Sequence, residues 1–139
     1  MKVLLDTCVL AELQNPQGRK SVKEAIAKLD DDSLFLSVLT VGEITKGIAL
    51  LPPSKRKQSL SQWLGSLEEH FFNRILPIET ETARMWGELT TRAQKTGITI
   101  PASDGLLAAT ALKYGMQVMT RNTKHFAASG AVVIDPFDS

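Results

Sequence analysis

Short apolar runs closed by a polar residue alternate along this chain with stretches whose apolar residues recur at helical spacing. That alternation is the pattern of a parallel sheet built from crossover units. Val3-Leu4-Leu5 ends at Asp6, and the run from Leu34 to Leu39 ends at Thr40. Such runs, with no polar alternation, predict strands buried on both faces. Ile75 to Ile78 is a third strand, placed near an edge because Pro77 removes a ladder donor. Val118 to Thr120 and Val132 to Ile134 supply the fourth and fifth. Between them Val22, Ala25, Ile26 and Leu29 share one helical face, as do Val41, Ile44, Ile48 and Leu51. Leu60, Trp63, Leu64, Leu67 and Phe71 form a third stripe. Ala83, Trp86, Leu89, Thr90 and Ala93 form a fourth, capped by Thr80 and stopped by Gly97. Ala102 to Tyr114 is the most helix-favouring stretch, with Pro101 suited to its first turn and Gly115 to its exit. The expected fold is α/β: a doubly wound parallel sheet with helices on both faces. Ligand sites in such folds lie beyond the carboxyl ends of the strands, where strand order reverses.

The 139 residues suit a single domain over 1–139, given roughly 100–200 residues per domain. Neither Pro52-Pro53-Ser54 nor Asp30 to Ser33 is long enough to be a linker. With 43% hydrophobic and 22% charged residues, the composition excludes disordered, collagenous and coiled-coil classes. No apolar run approaches the roughly 20 residues of a membrane span. The single cysteine, Cys8, cannot form an internal disulfide, and no secretory leader pattern opens the chain. A cytoplasmic protein without membrane contact is therefore expected. Sixteen basic against fifteen acidic side chains leave +1, so any nucleic-acid partner must be held by a local patch rather than a global field.

Four polar residues follow strand ends or open the helix after one: Asp6, Glu43, Asp104 and Asn122. The fold brings them to one rim. Carboxylates gathered there repel, since two unit charges 4 Å apart cost about 4 kcal/mol at an effective dielectric of 20. A hard cation resolves that conflict, and Mg²⁺ binds through one or two carboxylates, waters and substrate phosphate. Phosphodiester hydrolysis is the chemistry this suits. Each acid also has a plain reading. Glu43 stands three residues after Thr40, the spacing of a capping box, and Asp104 at a helix start is favoured by the dipole. Asp6 is harder to explain that way. Thr7, Ser103 and Thr120 are hydroxyls at the same rim, suited to hold water or a phosphate oxygen, or to serve turns and caps. Asp135 before Pro136 is accounted for by turn initiation and is an outside candidate for the acidic site. Cys8 reads as a small buried filler, and neither His70 nor His125 is tied to it by spacing; the three make no zinc pattern.

The blocks LLDTCVL at 4–10, SVLTVGEI at 37–44, IPASDGLLAATA at 100–111 and TRNTKHF at 120–126 resemble the PIN-domain toxins of the VapC type. They fall in family order and span nearly the whole chain. The resemblance implies a PIN-like fold and an endoribonuclease dependent on Mg²⁺ or Mn²⁺. It implies a homodimer whose activity is blocked by a cognate antitoxin protein, with operator DNA bound only through that antitoxin. Carried over residue by residue, the acidic positions fall on Asp6, Glu43 and Asp104, all three then metal ligands. The fourth, often aspartate in the family, is Asn122, an amide that can orient water or accept a metal through its oxygen; a second metal site is in doubt as a result.

Two other readings compete. A receiver-type phosphoacceptor needs paired acids after the first strand and an Asp ending the third, whereas this chain has Asp6 alone and Glu79. A PIN domain that binds nucleic acid or protein without catalysis is the other. For substrate phosphate the candidates near the rim are Lys46, one turn after Glu43, and Arg121 and Lys124, which flank Asn122. Arg19, Lys20 and Lys23 open another helix, and the run Lys55-Arg56-Lys57 reads as a solvated face.

Overall fold

A computed structural model describes residues 1–137; residues 138 and 139, the end of the domain expected over 1–139, lie outside the described residues. The chain runs β1 (Val3–Leu5), α1 (Thr7–Gln14), α2 (Lys20–Ala27), a 3₁₀ turn (Asp31–Ser33), β2 (Leu34–Ser37), α3 (Val38–Ala49) and α4 (Lys55–His70). It continues through β3 (Ile75–Leu76), α5 (Thr80–Lys95), α6 (Ala102–Tyr114), β4 (Gln117–Met119), α7 (Thr123–Ser129) and β5 (Val133–Ile134). The five strands form one parallel sheet in the order β3-β2-β1-β4-β5. The order reverses at β1, flanked by β2 on one side and β4 on the other, so the switch point lies at the residue that follows β1, Asp6.

Strand alternation divides the interior. Val3 and Leu5 of β1 join one buried cluster with Leu34, Leu36 and Met119. Leu4 faces the other way, into a cluster with Val118, Leu107, Leu89 and Phe126. Val9, Leu10 and Val22 from α1 and α2 cover the first face, and α5, α6 and α7 cover the second. Both faces of the central strands are thus dry, which is why these runs are apolar without interruption. No described helix is long and apolar enough to cross a membrane.

Several expectations change at element ends. The second strand stops at Ser37, because the Ser37 hydroxyl accepts from the Leu39 amide at 3.1 Å and starts α3 inside the apolar run. A side-chain cap outweighs two more apolar residues of strand. Thr40 is consequently buried within α3, its hydroxyl unpartnered among the described residues, and the Thr40–Glu43 capping box does not form. Helix α1 had no counterpart in the sequence reading: its eight residues carry only two fully buried side chains, Val9 and Leu10, too few for a periodic stripe. Glu79 rather than Thr80 is the N-cap residue of α5, without a side-chain cap bond, and Thr82 takes the buried place expected for Ala83. Pro101 is the N-cap residue of α6, one place before the first turn. The edge position of β3 agrees with Pro77 just beyond it. Thr120 and Val132 lie just outside β4 and β5.

Helices α5 and α6 cross where Gly105 replaces a side chain: a Cβ there meets Trp86 Cδ1 at 2.8 Å and Nε1 at 3.0 Å. This close crossing holds the first turn of α6, and Asp104 with it, at the rim. Gly105→Ala gains about 1 kcal/mol of helix propensity and incurs overpacking of about 1–3 kcal/mol against a rigid indole. Net destabilisation of about 1 kcal/mol is expected, read as a lowered urea midpoint at unchanged slope.

Candidate functional site

Asp6 closes β1 and caps α1. It is only 6% exposed, yet its carboxylate is well partnered. The Thr7 amide donates to Oδ1 at 2.8 Å and the Thr120 hydroxyl donates to Oδ2 at 2.7 Å. Cys8 Sγ lies 3.8 Å from the same Oδ2 and from Thr120 Oγ1. The backbone adds a tie across the switch point, with the Asp6 amide donating to the Met119 carbonyl at 3.0 Å. Burial raises the Asp6 pKa from its ordinary value, the Thr120 hydroxyl and the Thr7 amide oppose the rise, and the charge of Asp104 adds to it.

Glu43 stands in the second turn of α3, not the first, because the helix begins at Val38. The Thr7 hydroxyl donates to its Oε1 at 2.9 Å. Thr7 therefore joins two acids, its amide on Asp6 and its hydroxyl on Glu43. Glu43 is exposed as a residue, but partial loss of water around its carboxyl raises its pKa most; the Thr7 hydroxyl opposes the rise and the charges of Asp6 and Asp104 add to it. Asp104 lies in the first turn of α6, with its side chain 14% exposed. Its Oδ2 is 2.9 Å from His125 Nδ1. A carboxylate only accepts, so in this bond Nδ1 carries the proton.

Asp6 feels the charge of Asp104, and Glu43 feels the charges of both, although no covalent neighbourhood links the three. Among the described residues no group of three His, Cys, Asp and Glu side chains forms a ready cage for an ion. The donors are nonetheless those of a hard cation: carboxylate oxygens whose mutual repulsion a positive charge relieves. Mg²⁺ and Mn²⁺ fit such a site through one or two carboxylates, with water completing the shell. Asp6, Asp104 and Glu43 are the residues that would hold it, by drawing closer around the ion than they stand here.

The other expected residues divide. Thr120 is buried, donating to Asp6 and accepting from the Asn122 amide at 3.0 Å. Asn122 is the N-cap residue of α7, exposed, its side chain making no cap bond. It sits with Arg121, Thr123, Lys124 and His125 around a shallow hollow of about 180 Å³. Ser103 is half-buried beside Asp104 in α6. Lys46 and Lys124 are exposed. Arg121 is engaged elsewhere: its guanidinium lies 4.1 Å from the Phe137 ring centroid and 3.8 Å from Glu12. Asp135 accepts from the Phe137 amide at 2.9 Å, a turn role. His125 is the residue that sequence reasoning missed as part of the acidic site. Its signal was its place three residues after Asn122, one turn into the helix after the fourth strand.

The family model described as PIN domain matches residues 3–130. Among characterised relatives, the VapC ribonuclease Y4jK of Sinorhizobium fredii is 33% identical, with 98% of each chain covered. Toxin FitB of Neisseria gonorrhoeae is 35% identical, covering 97% of this chain and 98% of the relative. The solved structure of FitAB bound to an IR36 DNA fragment aligns with a TM-score of 0.94 at 35% identity, covering 99% of this chain and 96% of that one. With the parallel sheet, the switch-point acid and near-complete coverage in agreement, the chain belongs to the PIN-domain family.

Proposed function

We propose that this protein is a ribonuclease of the VapC and FitB kind, the toxin of a toxin–antitoxin pair, acting as one domain in the cytoplasm. The observation that carries the reading is the meeting of carboxylates at the switch point, where Thr7 ties Asp6 through its amide and Glu43 through its hydroxyl, with Asp104 near enough for its charge to act on both. A domain stable by only some 5–15 kcal/mol does not retain that repulsion for stability. The relatives named VapC ribonuclease and Toxin FitB supply the substrate class, and the DNA-bound FitAB structure supports an antitoxin partner through which operator DNA is reached. A homodimer completes the proposed assembly.

A bound Mg²⁺ or Mn²⁺ supplies Lewis acidity, activating water and neutralising phosphate charge. The chain's own residues do the rest. Asp6 is fixed by Thr7 and Thr120, so its oxygens present one geometry. Glu43 is turned toward Asp6 by the Thr7 hydroxyl, and His125 holds the Asp104 carboxylate. Asn122, uncharged at the fourth position, orients water or phosphate. Lys46 and Lys124 draw the RNA backbone to the rim, with Arg121 contributing from its perch on Phe137. Ser103 offers a hydroxyl beside Asp104.

Cleavage of single-stranded and structured RNAs is expected only with Mg²⁺ or Mn²⁺. Asp6→Asn, Glu43→Gln and Asp104→Asn should each slow it at least about a hundredfold, in line with removal of a key electrostatic group. Full activity in EDTA overturns the metal mechanism, and no cleavage under any condition leaves a binding domain without catalysis. Asn122→Ala should lower turnover while leaving the calorimetric Mn²⁺ affinity unchanged.

The raised pKa values set the sign of a pH effect. A carboxyl whose folded pKa exceeds its unfolded value, about 3.9 for Asp and 4.3 for Glu, stabilises the fold below that unfolded value. The contribution is lost as pH rises through the folded pKa. Melting temperatures in EDTA should therefore favour Asp6→Asn over wild type at pH 7, with the gap closing toward pH 4. Saturating Mn²⁺ should stabilise wild type more than the variant. A variant less stable than wild type throughout would make Asp6 a structural cap alone.

A further inference from the structure

The run Lys55-Arg56-Lys57 does not behave as one solvated face. Lys55 is exposed, and Lys57 Nζ donates to the Leu51 carbonyl at 3.0 Å, closing the end of α3. Arg56 instead lines two adjoining hollows between α1 and α4. The first, about 290 Å³, has apolar walls from Ile44, Ile48, Leu60 and Trp63 and reaches the acidic site at Thr7 and Glu43. The second, about 500 Å³, is polar, with Gln14, Asn15 and Ser59 on its walls. No ion pair engages the Arg56 guanidinium among the described residues.

An apolar hollow with one free cation at its lip has a particular chemical complement: a flat, weakly polar group carrying a phosphate close by. A nucleotide is such a group. Its base covers the aliphatic wall and the Trp63 ring, as bases do on aromatic platforms, while its phosphate meets a guanidinium suited to bidentate contact. An apolar peptide side chain with a neighbouring carboxylate would also fill the hollow and meet Arg56, but the opening of the hollow onto Thr7 and Glu43 places it on the path of the RNA substrate. Because Thr7 and Glu43 belong to both the hollow and the acidic site, the occupant lies directly beside the reacting phosphate. We propose that this hollow is a nucleotide subsite that takes the base adjoining the scissile phosphate of RNA, with Arg56 on the neighbouring phosphate. The inference rests on the ribonuclease reading and adds to it the place where the cut site is selected.

Affinity is measured by fluorescence anisotropy of a fluorescein-labelled single-stranded RNA octamer, with Mn²⁺ present and in the slow Asp104→Asn background. Arg56→Gln should weaken binding about tenfold and reduce the slope of log affinity against log salt by about 0.7, the value of one phosphate contact on a single strand. Lys55→Gln should leave affinity and slope unchanged. Trp63→Leu should weaken binding roughly five- to hundredfold and flatten the base preference at the cut when placed in the active protein. Trp63 also packs against the core, so Arg56→Gln, on an exposed side chain, carries the test if the Trp63 variant fails to fold. Cleavage by the otherwise native protein separates the two levels. Failure of the native protein to cut RNA removes the ribonuclease reading. Cleavage by a native protein whose Arg56→Gln variant keeps the affinity and salt slope of Lys55→Gln overturns the subsite. Arg56→Gln that spares RNA binding and weakens capture of the antitoxin would likewise overturn it, assigning the hollow to a protein partner.

Discussion

Asp6 is a carboxylate kept almost entirely from water at the end of the central strand, and the surrounding structure is arranged around that constraint. Burying an ionised group without partners is costly enough that it takes up a proton instead. Here the opposing influences are local: the first amide of α1, the Thr120 hydroxyl beyond β4, and the dipole of a helix that starts at Thr7. They lessen the rise in proton affinity without abolishing it, and Asp104 pushes it back up. A cation bound there would relieve both the lost hydration and the repulsion from Asp104.

The sheet topology makes that arrangement possible. With β1 between β2 and β4, the chain leaves the centre of the sheet in opposite directions, and the helices on the two faces deliver residues of their first or second turns to the same rim. From one face come Thr7 and Glu43, and from the other Asp104 and His125. Thr7 couples to both Asp6 and Glu43, so a shift of α1 against α3 is felt at two acids at once. The α5–α6 crossing at Gly105 has a parallel effect, since it sets how far Asp104 stands from the sheet.

The hollow beside Glu43 follows from the same layering. Helix α4 packs against α3 and leaves a gap toward α1 that is apolar at depth and polar outward. Of three consecutive cations at its start, helical geometry turns one to the gap, one back to a carbonyl and one to solvent. A charge run read along the chain looks uniform, but a turn of 100° per residue separates its members.

Periodicity along the chain determined the architecture: uninterrupted apolar runs require a sheet covered twice, and the helical stripes that follow them supply the covers. The place of Asp6 directly after the first run was equally legible, because the ends of parallel strands are where such folds place polar groups; Glu43 and Asp104 lie inside helices, and their approach to Asp6 depends on how α3 and α6 pack. Where elements begin and end was not legible, since Ser37 competes with the apolar residues after it and the winner depends on whether its hydroxyl finds an amide. Helix α1 escaped notice because eight residues with two buried side chains carry little period. The pairing of His125 with Asp104, the diversion of Arg121 onto Phe137 and the turn of Arg56 into the groove were decided only by tertiary structure. Those contacts join residues on different elements, and a sequence orders residues along one dimension while a hydrogen bond or a stacked cation is fixed by distance and direction in three.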